Sequence, residues 1–279
     1  MPDIDIATPI HPAPALPLRA RLAPLLMPHR LVMAGLALAA LLAIITQMNW
    51  SWLPVYLPKI GNGLLVTLVL LASSVIAGFA LALPLGAVQV TGPAPLRWLA
   101  NGFCTVIRGT PLLLQLWLIY YGLGALFAQF PEIRGSWLWP YLRQAWPYGF
   151  LTLTLSFAAY QGEIMRGAFA GVPRGELEAA RAFGMPRLMV FRRVWFPRAV
   201  HRALPTLAGE IILQLKATPL VATITVIEIY AVSSRVRADT FIVYEPLLLL
   251  ALVYMIIAGL IALMFRWVEN RVPARRREG

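Results

Sequence analysis

Cysteine and histidine are nearly missing from this sequence, and acidic residues are few. A single cysteine, Cys104, excludes an intramolecular disulfide and a thiolate-held metal cluster. The histidines are His11, His29 and His201, with no metal-ligand spacing and no partnered serine or cysteine, which excludes hydrolytic or metal-based catalysis of the usual kinds. No G-x-x-x-x-G-K-[ST] loop is present to cradle a phosphate, so the chain hydrolyses no ATP by that route. Charged residues make up only 13% of the chain, and 12 acids stand against 24 lysines and arginines for a net charge of +12. That balance invites a nucleic-acid reading. The arginines, however, lie beside apolar stretches and in one loop, a distribution that fits a membrane surface, and no nucleic-acid partner is expected.

What the sequence has in excess is apolar: 59% of its residues are hydrophobic, and its mean hydropathy of +0.72 is outside the range of a soluble domain. Residues 1–30 are proline-rich without helical periodicity and read as a flexible tail, not as a secretory signal. A membrane helix takes about 20 apolar residues, because each rises about 1.5 Å through a core about 30 Å thick. Six stretches meet or approach this, at Leu31 to Met48, Ile60 to Val88, Gly102 to Phe127, Pro147 to Met165, Leu204 to Ile227 and Pro246 to Trp267. The middle ones are interrupted by Pro84, Pro111 and Pro219, which lipid tolerates where neighbouring helices or a wet cavity satisfy the freed backbone. Small residues there, Gly61, Gly63, Ser73, Ser74 and Gly78, serve helix packing equally well.

Orientation follows from the cations. An inside N-terminus keeps Arg19, Arg21, Arg30 and Arg97, the arginines from Arg166 to Arg202, and those from Arg266 to Arg277 in the cytoplasm. Lys59, Arg134, Arg143, Arg235 and Arg237 then lie outside. Both termini, including the basic tail 269–279, and the large loop after the fourth span are placed in the cytoplasm.

That loop, 167–201, is the most informative segment. Good helix formers run from Gly175 to Phe183, Gly184 is suited to the left-handed residue that ends a helix, and Pro186 suits the first turn of the next. The second helix puts Leu188, Phe191 and Trp195 on one face, ready to pack under the bundle. The first carries small Ala179, Ala180 and Ala182 beside Glu176 and Glu178, a smooth surface for a partner's groove. A plainer reading has Glu178 in exposed pairs with Arg181 and Arg174.

Glu178-Ala179-Ala180, then three residues, Gly184, nine residues, then Val194 and Phe196-Pro197 resembles the EAA loop of ATP-binding-cassette import permeases, with Val194 for the usual Ile and Phe196 for the usual Leu. The resemblance implies an all-α membrane fold, a type I importer permease bundle of about six helices, with this loop as the coupling helix docked on an ATPase subunit. Gly175, Glu176, Glu178, Ala179, Ala180, Arg181 and Gly184 are its expected docking residues. It further implies a five-helix core over 58–268 and an additional first helix at 31–49.

Arg108-Gly109-Thr110-Pro111-Leu112-Leu113 with Gln115-Leu116 and Tyr121-Gly122-Leu123, and Ala159-Tyr160, Glu163, Arg166-Gly167, Val172-Pro173 and Gly175, resemble blocks of the polar amino-acid permeases. Lys216-Ala217-Thr218-Pro219-Leu220 is similar to that family's Lys-x-Thr-Ser-Leu, with Pro219 for Ser. Leu138-Trp139-Pro140, Ala145-Trp146 and Leu151-Thr152-Leu153 resemble the histidine, lysine/arginine/ornithine and octopine/nopaline members, which implies cationic amino acids or opines, with glutamine or glutamate open. The family also implies a second permease subunit, an extracytoplasmic amino-acid-binding protein and a bacterial inner-membrane location. ATP and magnesium belong to the partner ATPase, and the chain itself binds no cofactor.

Ionisable groups inside spans are costly and are functional candidates by default. Glu163, Glu210 and Lys216 qualify. Glu163, with Tyr160 and Gln161, is suited to hold an ammonium or guanidinium through charge-assisted hydrogen bonds; the alternative is an ion pair with Arg166 or a neighbouring helix. Thr110, Lys216 and Thr218 complete the expected substrate path. Arg108 is expected to snorkel or cap carbonyls. The rival class is an ion-gradient-driven secondary transporter, which would show internal repeats and would not need this loop.

Overall fold

The computed structural model describes residues 28–271. The sequence tails assigned to 1–30 and 269–279 fall largely outside those residues, and where they are described they are helical: the first helix starts at Pro28 and the last runs to Arg271. Helix α1 (Pro28–Gln47) belongs to a unit of its own. At 20 residues it is about 30 Å long, the thickness of a bilayer core.

The second unit is a helical bundle. Its long element, α2 (Leu53–Thr91), starts with Pro54 in its first turn and continues unbroken through Pro84. It lies along α8 (Trp146–Ala170), and small residues set the closeness of that contact. A Cβ at Gly78 would sit 2.9 Å from the Phe157 ring, and one at Gly86 2.6 Å from the Met165 Cβ, so any side chain there would push the helices apart. Gly61, by contrast, faces open space.

The third expected span is two elements. Helix α3 (Ala94–Gly109) stops at Thr110, whose extended backbone (φ −113°, ψ 144°) is what the following Pro111 favours. The chain resumes as α4 (Leu112–Trp117), a π-helical turn (Leu118–Leu123) and α5 (Gly124–Gln129). The sequence conceals α3 because it is amphipathic, with Trp98, Leu99 and Val106 exposed. Two single turns, α6 (Pro131–Arg134) and α7 (Trp139–Leu142), lead into α8.

After the loop helix α9 (Arg174–Ala182), the chain forms one continuous run: α10 (Arg187–Val190), a π-helical turn (Phe191–Trp195), α11 (Phe196–Ala217) and a 3-10 stretch (Thr218–Ile224). Pro219 therefore marks a change of helix type, not a loop. A helix the sequence did not suggest, α12 (Ile229–Thr240), precedes α13 (Tyr244–Arg271). Its composition is too polar for a span.

Among the described residues, four stretches are long and apolar enough to cross a membrane, at Leu53–Thr91, Leu112–Gln129, Arg187–Ile224 and Tyr244–Glu269. At 25 residues α8 is also long enough, but it carries Gln161, Glu163 and Arg166, and it is the helix most enclosed by its neighbours. A polar helix at the centre of a bundle is where lipid is kept from the charges. Two apolar cores flank it. One joins Leu70, Leu116, Tyr148, Leu153, Val221, Ile224 and Val226; the other joins Met165, Phe169, Val172, Ala199 and Ala203, with Phe191 and Trp195 against it.

Candidate functional site

The loop 167–201 is held from both sides. Helix α9 ends in a Schellman closure: Gly184 N–H donates to Arg181 O at 2.9 Å and Met185 N–H to Ala180 O at 3.2 Å. Gly184 takes φ +78°, the left-handed region where a β-carbon is costly, and Pro186 then forbids continuation. Below α8, Phe169 stacks on Phe191 at 6.0 Å and meets Trp195 edge-on at 5.5 Å. The Trp195 Nε1–H donates to Phe169 O at 2.9 Å, so the half-buried ring is fixed in place. Leu188, expected on the same face, points out instead at 67% exposure, because the π-helical turn begins after it and rotates the helix.

A charge pair completes the joint. Arg198, two residues into α11, donates from Nε to Glu176 at 2.6 Å and also from Nη2, the two-pronged geometry suited to a carboxylate. Glu176 thus faces inward. Ala180, expected on the docking surface, is buried at 6% exposure. Gly175, Glu178, Ala179, Arg181 and Gly184 are exposed, as is Phe183 at 86%. Among the described residues Glu178 makes no ion pair, so the expected pairing with Arg181 or Arg174 is not formed.

The expected substrate-path residues do not form one site. Glu163 takes the ion-pair alternative: Arg166 donates to it from Nε at 2.7 Å and from Nη2, and Arg108 Nη1 lies 3.7 Å from its other oxygen. Arg108 also stands over the Tyr160 ring at 5.6 Å, and among the described residues it caps no carbonyl. Gln161 is fully buried, with neither amide atom partnered among the described residues, on the α8 face that meets α2. Thr110 is structural: its hydroxyl donates to Val106 O at 2.9 Å, and Gln115 Nε2 donates to its carbonyl at 3.0 Å and its hydroxyl at 2.7 Å, bracing the turn before Pro111. Thr218 is buried, with its hydroxyl donating to Leu215 O at 2.8 Å, while Lys216 is exposed.

The sequence missed a buried acid. Glu228 is wholly enclosed and caps α12, accepting from Tyr230 N–H at 2.9 Å and Ala231 N–H at 2.8 Å. Thr67 Oγ1 of α2 and the Tyr254 hydroxyl of α13 also reach it, at 3.4 Å and 3.5 Å. Glutamate is an unusual residue at this capping position, so no cap signal marked it in the sequence. It anchors the segment 225–228, which together with α2 and α12 bounds an open cavity of about 650 Å³.

The arrangement contains a buried central helix, broken neighbours and an exposed helix braced beneath them. The family model for the binding-protein-dependent transport system inner membrane component matches residues 74–273. The octopine transport system permease protein OccM of Rhizobium radiobacter is 37% identical over 219 residues, covering 77% of this chain and 86% of that protein. The arginine ABC transporter permease protein ArtM of Escherichia coli K12 is 33% identical over 225 residues, covering 80% and 98%. Among solved structures, an amino acid ABC transporter crystallised with histidines is similar at 28% identity with a TM-score of 0.68, covering 81% of this chain and 99% of that one. The MetNI methionine ABC transporter, at 17% identity and a TM-score of 0.61, shares the fold. The ion-gradient alternative is set aside by these matches. The chain belongs to the family of binding-protein-dependent transport system inner membrane components and is the membrane permease subunit of an ABC importer.

Proposed function

We propose that this permease imports cationic amino acids or opines, and that α9 is the surface through which ATP hydrolysis drives it. ATPase subunits, which bind the ATP and magnesium, seat on Glu178, Ala179, Arg181 and Phe183. A second permease subunit completes the pathway, and an extracytoplasmic binding protein delivers the amino acid. Both termini and α9 face the cytoplasm. The observation that carries this reading is the mounting of an exposed helix: a Schellman turn at one end, a charge pair to α11 near the other, and an aromatic box that seats the following π-helical turn under α8. A helix held at both ends transmits a push, which a loose loop would not. The substrate class is supported by the octopine, nopaline and arginine permeases among its relatives.

The test is amino-acid-stimulated ATP hydrolysis in proteoliposomes holding the complete importer, with arginine, lysine, ornithine, histidine, octopine and glutamine as the panel. A Cβ at Gly184 meets nothing within this subunit, so within it a replacement acts through the backbone. Gly184→Val, which resists the left-handed conformation, is expected to abolish stimulation while the complex still assembles, and Gly184→Asn, which tolerates it, to retain most of it. Equal stimulation in both variants would remove α9 from the coupling path.

A further inference from the structure

Resting on that importer reading, we propose that the cavity between α2, α12 and the segment 225–228 is a binding site for the carboxylate of the transported amino acid. Its volume of about 650 Å³ is within the range of small-molecule sites, roughly 300–1,000 Å³. Lys59 and Arg235 line it from opposite helices, and Asn62 and Thr225 add polar groups. Lys59, Asn62 and Val66 share one face of α2 by helical spacing, while Ala231 and Arg235 lie one turn apart on α12, so both cations are delivered to the same space.

The charges favour an anion. Arg235 pairs with one acid, Asp239, which is itself engaged: Arg235 Nε lies 3.5 Å from it, and the Tyr56 hydroxyl donates to it at 2.9 Å. That contact fixes the Arg235 stem and leaves guanidinium N–H groups for a second carboxylate, the partner that a planar fork fits best. Lys59 stands over the Tyr56 ring at 4.9 Å, an attraction that leaves its ammonium hydrogens for another acceptor.

The backbone supplies an independent sign. Thr225 lines the cavity with φ +69°, a left-handed conformation rare for a β-branched residue. Such strain persists where the surroundings over-determine it, and it clusters at ligand clamps. Here the Glu228 cap and the close seat of Gly63 under Glu228 and Val232 hold the segment in place. The rest of the lining, Val66, Ala222, Val226, Ile227 and Val232, is apolar.

Labelling at the site tests this. The chain's single cysteine, Cys104, is buried, so Asn62→Cys gives one reactive position at the cavity. In the assembled importer, arginine or octopine should slow its modification by a thiol reagent, and agmatine, which keeps the guanidinium but lacks the carboxylate, should not. Lys59→Gln and Arg235→Gln should each raise the half-protecting concentration about tenfold. Equal protection by agmatine overturns the carboxylate assignment. No protection in a preparation that still imports amino acids overturns the site while leaving the importer reading standing. Labelling blocked by assembly without any ligand gives the cavity to the second permease subunit and overturns it too. An unsubstituted importer that imports no amino acid with ATP overturns the functional reading and this inference together.

Discussion

The Glu228 carboxylate and the Tyr254 hydroxyl meet at 3.5 Å in the interior of the bundle, and the same hydroxyl lies 3.2 Å from Thr218 Oγ1. One side chain of α13 therefore ties the start of the 3-10 stretch to the cap of α12. Between those two points lie Ala222, Thr225, Val226 and Ile227, which line the cavity. The two residues differ in what their removal leaves behind. Tyr254→Phe deletes one shared hydroxyl, worth about 1 kcal/mol. Glu228→Ala loses the helix cap, about 0.5–2 kcal/mol, and leaves the Tyr230 and Ala231 N–H groups without their carboxylate in the interior. Thermal unfolding of the purified importer should show the larger drop for Glu228→Ala. Equal drops, or none, would mean that the network does not hold the wall.

What could be read from the sequence was what is local. Gly184 was legible because a helix stop followed by Pro186 needs only neighbouring residues. Glu163 was legible as an ionisable group inside a span, but its partners were not, since Arg108 lies 55 positions away and is brought in by the break at Pro111. Ala180 looked like its neighbours Ala179 and Ala182; only the packing of α9 against α10 separates the buried alanine from the exposed ones. Helix α3 escaped notice because half its surface is polar, and Glu228 because glutamate directly before a helix is not a usual cap signal and its other contacts, Thr67 and Tyr254, come from distant helices.

The pair of Glu176 and Arg198 should govern coupling more than stability. Both side chains are partly exposed, at 30% and 44%, and exposed ion pairs contribute only about 0–1 kcal/mol. Their contact nonetheless fixes the angle between α9 and α11, the element that runs on to the cavity. Glu176→Arg and Arg198→Glu are each expected to leave assembly intact while lowering the amount of amino acid imported per ATP hydrolysed several-fold, and the double exchange should recover most of the loss. Import and hydrolysis measured in the same proteoliposomes give the ratio. A double variant no better than the singles would deny that the contact itself is what matters.

Gln161 poses the opposite case, a polar side chain that the described conformation leaves unserved. Among the described residues both its amide atoms are buried without a partner, a burden of about 1–3 kcal/mol. It shares a face of α8 with Thr154, one heptad earlier, whose buried hydroxyl is also unpartnered. The surrounding helices are packed too closely at Gly78 and Gly86 for the amide to swing aside. Replacement by an apolar residue of similar size should therefore stabilise this conformation. Gln161→Leu is expected to raise the midpoint of thermal unfolding by a few degrees. Transport then decides why a glutamine is there. If alternating access exposes this face of α8 to the pathway, the stabilised variant is trapped, and import should fall at least tenfold with the ATPase still assembled. If import is unchanged while the protein is more stable, the face never opens, and the buried amide contributes nothing to transport.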